Sequence, residues 1–450
     1  MPLPEPTAAS SVAATESGTR YAWYVVGVLL LLNVSSFIDR QVMALMVTPI
    51  KADLGLTDTQ MGYLLGPAFA ATFAFSAFIV GRLADRRDRP AIIAWGVAAW
   101  SVMCTASGVA NTYAQLFAAR VGVGVGEATL SPTANALIAD YFPPEKLATA
   151  MSLFTSGVFI GSGLAYFIGG AVIEAVSTLD PWHLPILGEI RPWQRVFIVV
   201  GIPGVLLALL AMTIREPRRH RAAGSPPIHV FTGAEVLAWL RRHGRAYATF
   251  GAAISIYSIV NFGTAFWFPA FFERSHGWSP GRIGLLMGGA TAIFGMLGVI
   301  AGGRVADRFK LHGRPDGNLL VLIISAIISI IVGLPLYLTA SEPVLIAALI
   351  VTNVVAAAPF GAAAAAMAEM SPSAMRGQSA ALLVFLLNFV GLGLGPPAVA
   401  LVTDNVFADP AKVGLSLLVV TLIGRSLSAL SVAGGLAAHR RAVSEVARQR

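Results

Sequence analysis

The sequence is poor in cysteine and in charged residues. Its 450 residues include one cysteine, Cys104, so no disulfide can form within the chain. Charged residues make up 12% of the sequence and hydrophobic residues 56%. The charged share is about half that of an ordinary soluble domain. This composition excludes an ordinary soluble domain and indicates a protein of the lipid bilayer.

Sequence patterns of enzymes and pumps are also absent. No Gly-x4-Gly-Lys-Ser/Thr phosphate loop is present, which disfavours a primary pump. The seven histidines are scattered and form no His-Glu-x-x-His pair, so we expect no enzyme, no catalytic residue, no metal and no cofactor. The formal net charge is +8, but the basic residues lie in short tracts between apolar segments, so we expect no nucleic-acid partner.

Apolar segments long enough to cross a bilayer follow one another along the chain, six before a charged interval and six after it. They lie near residues 22–48, 59–82, 91–111, 114–139, 147–173, 194–214, 246–272, 281–303, 318–339, 343–368, 377–403 and 413–437. The sequence therefore predicts an all-α membrane protein of about twelve transmembrane helices in two six-helix halves.

The polar stretches divide the chain into five parts. We expect a disordered cytoplasmic tail (1–20), a first bundle (21–214), a cytoplasmic linker (215–245), a second bundle (246–438) and a cytoplasmic tail (439–450). Within the linker, Thr232-Gly233-Ala234-Glu235 has capping-box spacing and predicts a short helix on the membrane surface, with a plain solvated linker as the alternative. Most of the 31 Lys and Arg residues fall in alternate loops. This places both termini in the cytoplasm of a multi-pass protein, for which we expect a cell inner membrane.

An acid and a base stand side by side in the first apolar segment. Asp39 and Arg40 are followed by further apolar residues, so they lie inside the span and not at its end. An ionisable group inside a span costs roughly 2.5 to 3.5 kcal/mol, which indicates a functional site. The alternative is that both side chains extend to the headgroups.

The fourth segment carries a second acid and base. Arg120 and Glu127 are seven residues apart, which places them on one helix face about 10.5 Å apart along the axis. Glycines at 122, 124 and 126 allow another helix to come close. We expect Asp39, Arg40, Arg120 and Glu127 to form one buried network, with Asp39 and Glu127 coupling to protons and Arg40 and Arg120 binding an anionic head group. A purely structural network is the alternative.

A repeat relates the two halves. Gly81-Arg82-Leu83-Ala84-Asp85-Arg86 recurs as Gly303-Arg304-Val305-Ala306-Asp307-Arg308, displaced by 222 residues (81 to 303). At this offset Asp39 corresponds to Asn261. Titratable chemistry is thus confined to the first half, and the second half is expected to add an apolar wall with substrate contacts. The candidate contacts there are Asn261, Tyr257 and Trp267. For each of the aromatic residues, lipid contact or core packing is the alternative.

The stretch from Gly81 to Arg89 resembles the loop signature between helices two and three of the major facilitator superfamily, and the copy at Gly303 resembles the loop between helices eight and nine. This resemblance covers about residues 21–440 and implies that the charged loops latch the bundles on the cytoplasmic side. The implied gating residues are Gly81, Asp85, Arg86, Arg89, Asp307 and Arg308. A purely topogenic role for the arginines is the alternative.

Within that superfamily, Phe37-Ile38-Asp39-Arg40 and the stretch from Arg120 to Ala128 resemble the Spinster branch. This resemblance implies a proton-coupled transporter, expected as a monomer, of a lysophospholipid or a sphingosine-phosphate-like lipid. Resemblance to the wider organic-anion symporter branch implies a hexuronate-like substrate instead. A passive lipid scramblase and a non-transporting sensor also stay open as functions. Arg425, in the last apolar segment, stays unassigned between a helix end, a second cavity and a pairing with Asp404.

Overall fold

A computed structural model describes residues 8–84, 86–177, 182–184, 188–217 and 233–448. The helices of the first half are α1 (Ala8–Leu45), α2 (Val47–Leu54), α3 (Asp58–Leu65), α4 (Pro67–Ala84), α5 (Arg89–Ser107), α6 (Tyr113–Glu127), α7 (Leu130–Tyr141), α8 (Pro144–Ser177) and α9 (Pro192–Ala211). Between α8 and α9, β1 (Trp182–Leu184) and β2 (Gly188–Ile190) pair as a small antiparallel hairpin.

The second half begins with α10 (Gly233–Arg242). Its further α-helices are α11 (Gly244–His276), α12 (Pro280–Gly289), α13 (Met296–Leu311), α14 (Gly317–Leu338), α15 (Glu342–Ala357), α16 (Pro359–Glu369), α17 (Arg376–Phe385), α18 (Gly393–Val402) and α19 (Val413–Arg448). Three π-helical segments interrupt this half, at Ala290–Gly295, Leu386–Leu392 and Thr403–Phe407. Two 3₁₀ turns lie at Ser373–Met375 and Pro410–Lys412. The predicted all-α membrane fold is confirmed, with the hairpin as its one small addition among the described residues.

Eleven stretches of helix in the described part of the chain are long and apolar enough to cross a membrane. The remaining predicted span, 114–139, is present as two shorter helices, α6 and α7, which meet at Ala128 and Thr129. Pro132 has no backbone N–H and its ring crowds the carbonyl of Ala128, which favours a kink or a break at this point. The break places Glu127 at the last position of α6.

Two predicted boundaries differ from the structure. Helix α1 begins at Ala8, inside the segment expected to be a disordered tail; no proline interrupts residues 8–20, so the helix of the span extends backwards through them. The predicted linker helix exists as α10, but it packs into the second half: the Trp239 indole donates to the Met370 carbonyl at 3.3 Å. Thr232, its proposed cap, lies outside the described residues, as do residues 1–7, 218–231 and 449–450.

The two halves pack closely at the end of the molecule where α1 and α11 finish, which we call the closed end. One hydrophobic core runs through the first half and includes Trp267, Phe271 and Val399 of the second half. At the opposite end the second half has a core of its own, built around Trp239 and Phe250. Apolar contact between the halves is therefore concentrated at the closed end.

Glycines make the contact between α8 and α12 possible. A Cβ added at Gly284 would lie 2.4 Å from the carbonyl oxygen of Tyr166, and one added at Gly170 would lie 3.0 Å from the Cα of Gly284. Both neighbours are backbone atoms, which cannot move aside without separating the helices. The two halves can approach this closely at the closed end because these positions carry no side chain.

We expect Gly284→Val to destabilise the protein by roughly 1 to 3 kcal/mol, the usual cost of overpacking a close contact. The measurement is thermal unfolding of the purified protein in detergent. Gly289→Val is the matched control, because Gly289 lies on the same helix and an added Cβ there meets nothing within 4 Å. Equal losses of stability in the two variants would contradict the tight contact between α8 and α12.

Candidate functional site

The first part of the site is an ion pair between α1 and α6. Nε and Nη2 of Arg40 each lie 2.6 Å from Oε2 of Glu127. The Ser36 hydroxyl, one turn earlier on α1, donates to the same oxygen at 2.5 Å and accepts from Arg40 at 3.1 Å. The Glu127 side chain is fully buried, whereas that of Arg40 is 14% exposed. The guanidinium group of Arg40 thus contacts a buried carboxylate while its own side chain stays partly accessible.

Asp39 is buried on a different side of α1. Successive helix residues point about 100° apart, so Asp39 faces away from the Arg40 pair and toward α5. There the thiol of Cys104 donates to Oδ1 of Asp39 over 3.5 Å. No ion pair within 4.0 Å involves Asp39 in the part of the chain that the structure describes. Within the expected network, Asp39 therefore does not pair with Arg40 in this conformation.

Arg120 is buried on α6, on the same side as Glu127. Its Nε and Nη1 atoms have no hydrogen-bond partner among the described residues. The ring of Phe69 lies 5.8 Å from its guanidinium carbon, and both Asp39 and Glu127 are within electrostatic range. The four predicted residues are thus brought together, but as one tight pair and two groups that lack a paired charge. Unsatisfied buried N–H donors are costly, and a ligand with anionic oxygens would satisfy them.

The predicted contacts in the second half occupy different surroundings. Asn261 on α11 is partly exposed, and its amide donates to the carbonyl of Ala356 at 3.2 Å. Tyr257 and Trp267 are 2% and 0% exposed and donate to the carbonyls of Val355 and Pro396. Because the polar atoms of both rings are already bonded within the second half, the structure does not bring Tyr257 or Trp267 to a substrate. Asn261 alone keeps an accessible surface.

Those predicted gating residues that the structure describes do not join the halves. An added Cβ at Gly81 or at its copy Gly303 would meet nothing within 4 Å, so neither glycine serves a close helix contact here. Arg86, Asp307 and Arg308 are exposed. Asp85 lies outside the described residues. The described residues of this motif form no latch in this conformation, because the motif lies at the end where the halves have separate cores.

Arg89 anchors its loop within the first half. Its side chain contacts Asp140 at 2.6 Å and Glu216 at 2.8 Å, and its backbone N–H also donates to Glu216. Asp140 is at the end of α7 and Glu216 follows α9, so Arg89 ties three helix ends of one bundle together. These contacts of Arg89 all lie within the first half, so its observed role is to stabilise that bundle.

An ion pair and a hydrogen bond join the halves at the closed end, where sequence reasoning did not expect them. The fully buried Asp58 accepts two hydrogen bonds from Arg274 of α11, at 2.9 and 3.0 Å, and one from Lys51 at 2.7 Å. Asp404 of the second half accepts from the backbone N–H of Thr59 at 2.6 Å. Asp58 begins α3 and Arg274 lies near the end of α11, and charges of these signs are common at such helix ends. The sequence therefore did not indicate that these two residues pair.

A family model of the Major Facilitator Superfamily matches residues 29–396 of the chain. An MFS-type efflux pump of Mycolicibacterium smegmatis is 26% identical over 437 residues, covering 97% of each chain. Protein spinster homolog 1 of Xenopus tropicalis is 30% identical over 314 residues, which are 66% of this chain and 57% of that protein. The chain thus spans little more than half the length of that relative.

A further sequence relative and a solved structure are also similar to this chain. A probable galactarate/D-glucarate transporter of Bacillus subtilis, GudP, is 26% identical over 330 residues, or 68% of this chain and 69% of that protein. The crystal structure of a bacterial homolog of the human lysosomal transporter Spinster, inward-facing and unoccupied, superposes with a TM-score of 0.73. It is 25% identical to this chain and covers 96% of it and 98% of its own length.

Proposed function

The chain belongs to the Major Facilitator Superfamily and is Spinster-like, and on this basis we propose that it couples protons to the movement of an amphipathic lipid by alternating access. The lipid has an anionic or zwitterionic head, as in a lysophospholipid or a sphingosine-phosphate-like molecule. One observation carries the proposal: Arg120 is buried in the membrane-spanning bundle with two N–H donors that have no partner among the described residues. A phosphate or carboxylate oxygen would satisfy them.

Aromatic rings beside the charged site favour a lipid over a fully polar substrate. The guanidinium carbon of Arg40 lies 4.6 to 5.2 Å from the ring centres of Phe37, Phe69 and Phe73. Between the halves, Phe75 of α4 meets Phe389 with ring centres 5.9 Å apart. An anionic head could bind the arginines while the chain packs along these rings.

Proton coupling follows from competition for Arg40. Glu127 must be ionised to hold Arg40, and an anionic head group that binds Arg40 and Arg120 would replace it as the partner. Glu127 would then be left buried without a countercharge and would take up a proton. Anion binding and proton binding thus favour each other, which is the linkage that a symporter needs.

Asp39 is the second proposed proton site. It is buried beside a thiol and has no ion pair among the described residues in this conformation, so a proton on Asp39 would remove an uncompensated buried charge. We propose that Asp39 carries a proton here and releases it when the helices rearrange toward Arg120. With the topology expected from the basic loops, the closed end faces away from the cytoplasm and the site is approached from the cytoplasmic side.

The test is uptake of a labelled lysophospholipid into proteoliposomes with and without an imposed pH gradient, with protein-free liposomes as the control. We expect the gradient to drive lipid accumulation. A labelled hexuronate is measured in parallel, because the likeness to a probable galactarate/D-glucarate transporter favours a small organic acid as the second candidate. Gradient-driven uptake of hexuronate alone would replace the lipid with that substrate.

Two results of the same assay would indicate a protein that is not a proton-coupled transporter. Lipid movement that is indifferent to the pH gradient would indicate a passive scramblase. Binding of either compound without movement would indicate a sensor. Both results would contradict the proposed coupling of protons to lipid movement.

A further inference from the structure

Arg425 of α19 is buried inside the second half among uncharged groups. It is 3% exposed, and its guanidinium carbon lies 3.6 Å from the ring centre of Tyr257. Its Nη1 atom donates to the carbonyl of Tyr257 at 3.2 Å, and Nη2 donates to Oδ1 of Asn261. Its Nε is buried and has no partner among the described residues. The positive charge is thus held by a ring and two neutral oxygens.

No carboxylate in the described part of the chain pairs with this charge. Among the described residues no ion pair within 4.0 Å includes Arg425, and the groups within electrostatic range of it are the phenols of Tyr257 and Tyr337. Asp404, a candidate partner on sequence grounds, is instead bonded to Thr59. A buried guanidinium keeps its proton, so the second half carries a fixed positive charge at membrane depth.

The charges of the first half cancel only when both of its acids are ionised, since Asp39 and Glu127 then balance Arg40 and Arg120. Arg425 adds a positive charge in either case. The transport core therefore has an excess of at least one positive charge before any substrate binds. An uncompensated positive charge is costly inside a membrane unless a bound group of opposite charge accompanies it.

Asn261 connects this charge to a partly exposed side chain of α11. It stands at the position of α11 that corresponds to Asp39 of α1, and it is partly exposed. One side of its amide accepts from Arg425 and the other donates to Ala356 of α15, so the amide is held in a fixed orientation. The charge of Arg425 therefore acts directly behind the one predicted second-half contact that keeps an accessible surface.

We propose that Arg425, acting through Asn261, makes the transport site selective for cargo with a net negative charge over zwitterionic or neutral cargo of the same shape. This inference rests on the proposed transport function and narrows its substrate class. It assigns Arg425 a positioning and selectivity role, since the residue does not itself reach the accessible surface. An anionic lysolipid or a sugar acid would neutralise the excess positive charge, whereas a zwitterionic lysolipid would leave it in place.

The experiment compares binding of two matched pairs by the purified protein in detergent, from ligand-dependent thermal stabilisation. One pair is lysophosphatidylglycerol and lysophosphatidylcholine with the same acyl chain, and the other is glucuronate and glucose. We expect the wild type to bind the anionic member of at least one pair about tenfold more tightly, a difference of about 1.4 kcal/mol. Arg425→Gln should remove this preference by weakening only the anionic member, and Arg425→Lys should keep most of it.

Arg441→Gln is the control variant, because Arg441 is exposed on the same helix. The proposal is overturned if the wild type shows no preference in either pair, or if Arg425→Gln weakens both members of a pair equally. The wild-type comparison decides the first point even where the variant fails to fold. A preference confined to glucuronate would support the selectivity role of Arg425 and contradict a lipid substrate. Lipid binding without a charge preference would support a lipid substrate and contradict the selectivity role.

Discussion

Glu127→Gln is expected to abolish uptake driven by a pH gradient while leaving exchange of substrate across the membrane intact. Glutamine resembles the protonated acid in shape and charge, so Arg40 stays available to an anionic head group. Without a group at position 127 that can lose its proton, the Arg40 pair cannot re-form, and proton binding no longer competes with substrate for Arg40. We expect gradient-driven accumulation to fall roughly 100-fold, equal to about 2.7 kcal/mol of lost coupling.

The measurement uses two assays on the same proteoliposomes. Uptake under an imposed pH gradient reports coupling, and exchange of labelled for unlabelled substrate at equal pH reports binding and movement. Glu145→Gln is the matched control, since it makes the same chemical change at an exposed position at the start of α8. Gradient-driven uptake in Glu127→Gln as steep as in the wild type would remove Glu127 from the coupling mechanism. Loss of exchange as well would show that the carboxylate itself is needed for binding.

Asp58→Asn is expected to open the closed end. The carboxylate of Asp58 is fully buried and holds both Arg274 and Lys51, which come from different halves. Removing one partner of a buried ion pair costs about 3 to 5 kcal/mol, because the remaining charges are left without compensation. This cost falls only on the conformation in which the halves meet there, so the equilibrium should shift more than 100-fold toward the opposite opening.

A spin-label pair at Ala52 and Val406 would measure this shift by double electron–electron resonance. Both residues are exposed near the closed end, one on each half, and the native Cys104 is fully buried. We expect a longer distance to become the main population in Asp58→Asn. Asp53→Asn is the matched control, because Asp53 pairs with Arg191 at 2.8 Å within the first half. An unchanged distance distribution in Asp58→Asn would show that apolar packing alone keeps this end closed.

Local features of the sequence were enough to predict the helices and the position of the charged site. Length and hydropathy identified the spans, because a helix must carry about twenty apolar residues to cross a bilayer whatever its neighbours are. Asp39, Arg40, Arg120 and Glu127 stood out because ionisable groups at membrane depth need a reason. The break between α6 and α7 was missed, although Pro132 was a visible signal for it.

The partners of these residues depend on the packing of whole helices. Arg40 contacts Glu127 while its neighbour Asp39 contacts Cys104, because the rotation of α1 directs consecutive side chains to different helices. Tyr257 and Trp267 were candidate substrate contacts, and the structure instead shows both bonded to backbone carbonyls inside the second half. Hydropathy cannot distinguish a ring that faces a substrate from one that faces a neighbouring helix.

The amino-acid sequence alone is enough to establish that this protein is a helical membrane protein built from two related halves, with acids and bases concentrated in the first. Composition and helical periodicity are properties of short segments of the chain. The repeat is found by comparing the chain with itself. The closure between Asp58 and Arg274 and the uncompensated charge of Arg425 depend on how separate helices rotate and pack. Contacts between residues more than a hundred positions apart are set by that packing, which leaves no periodic signal in the chain.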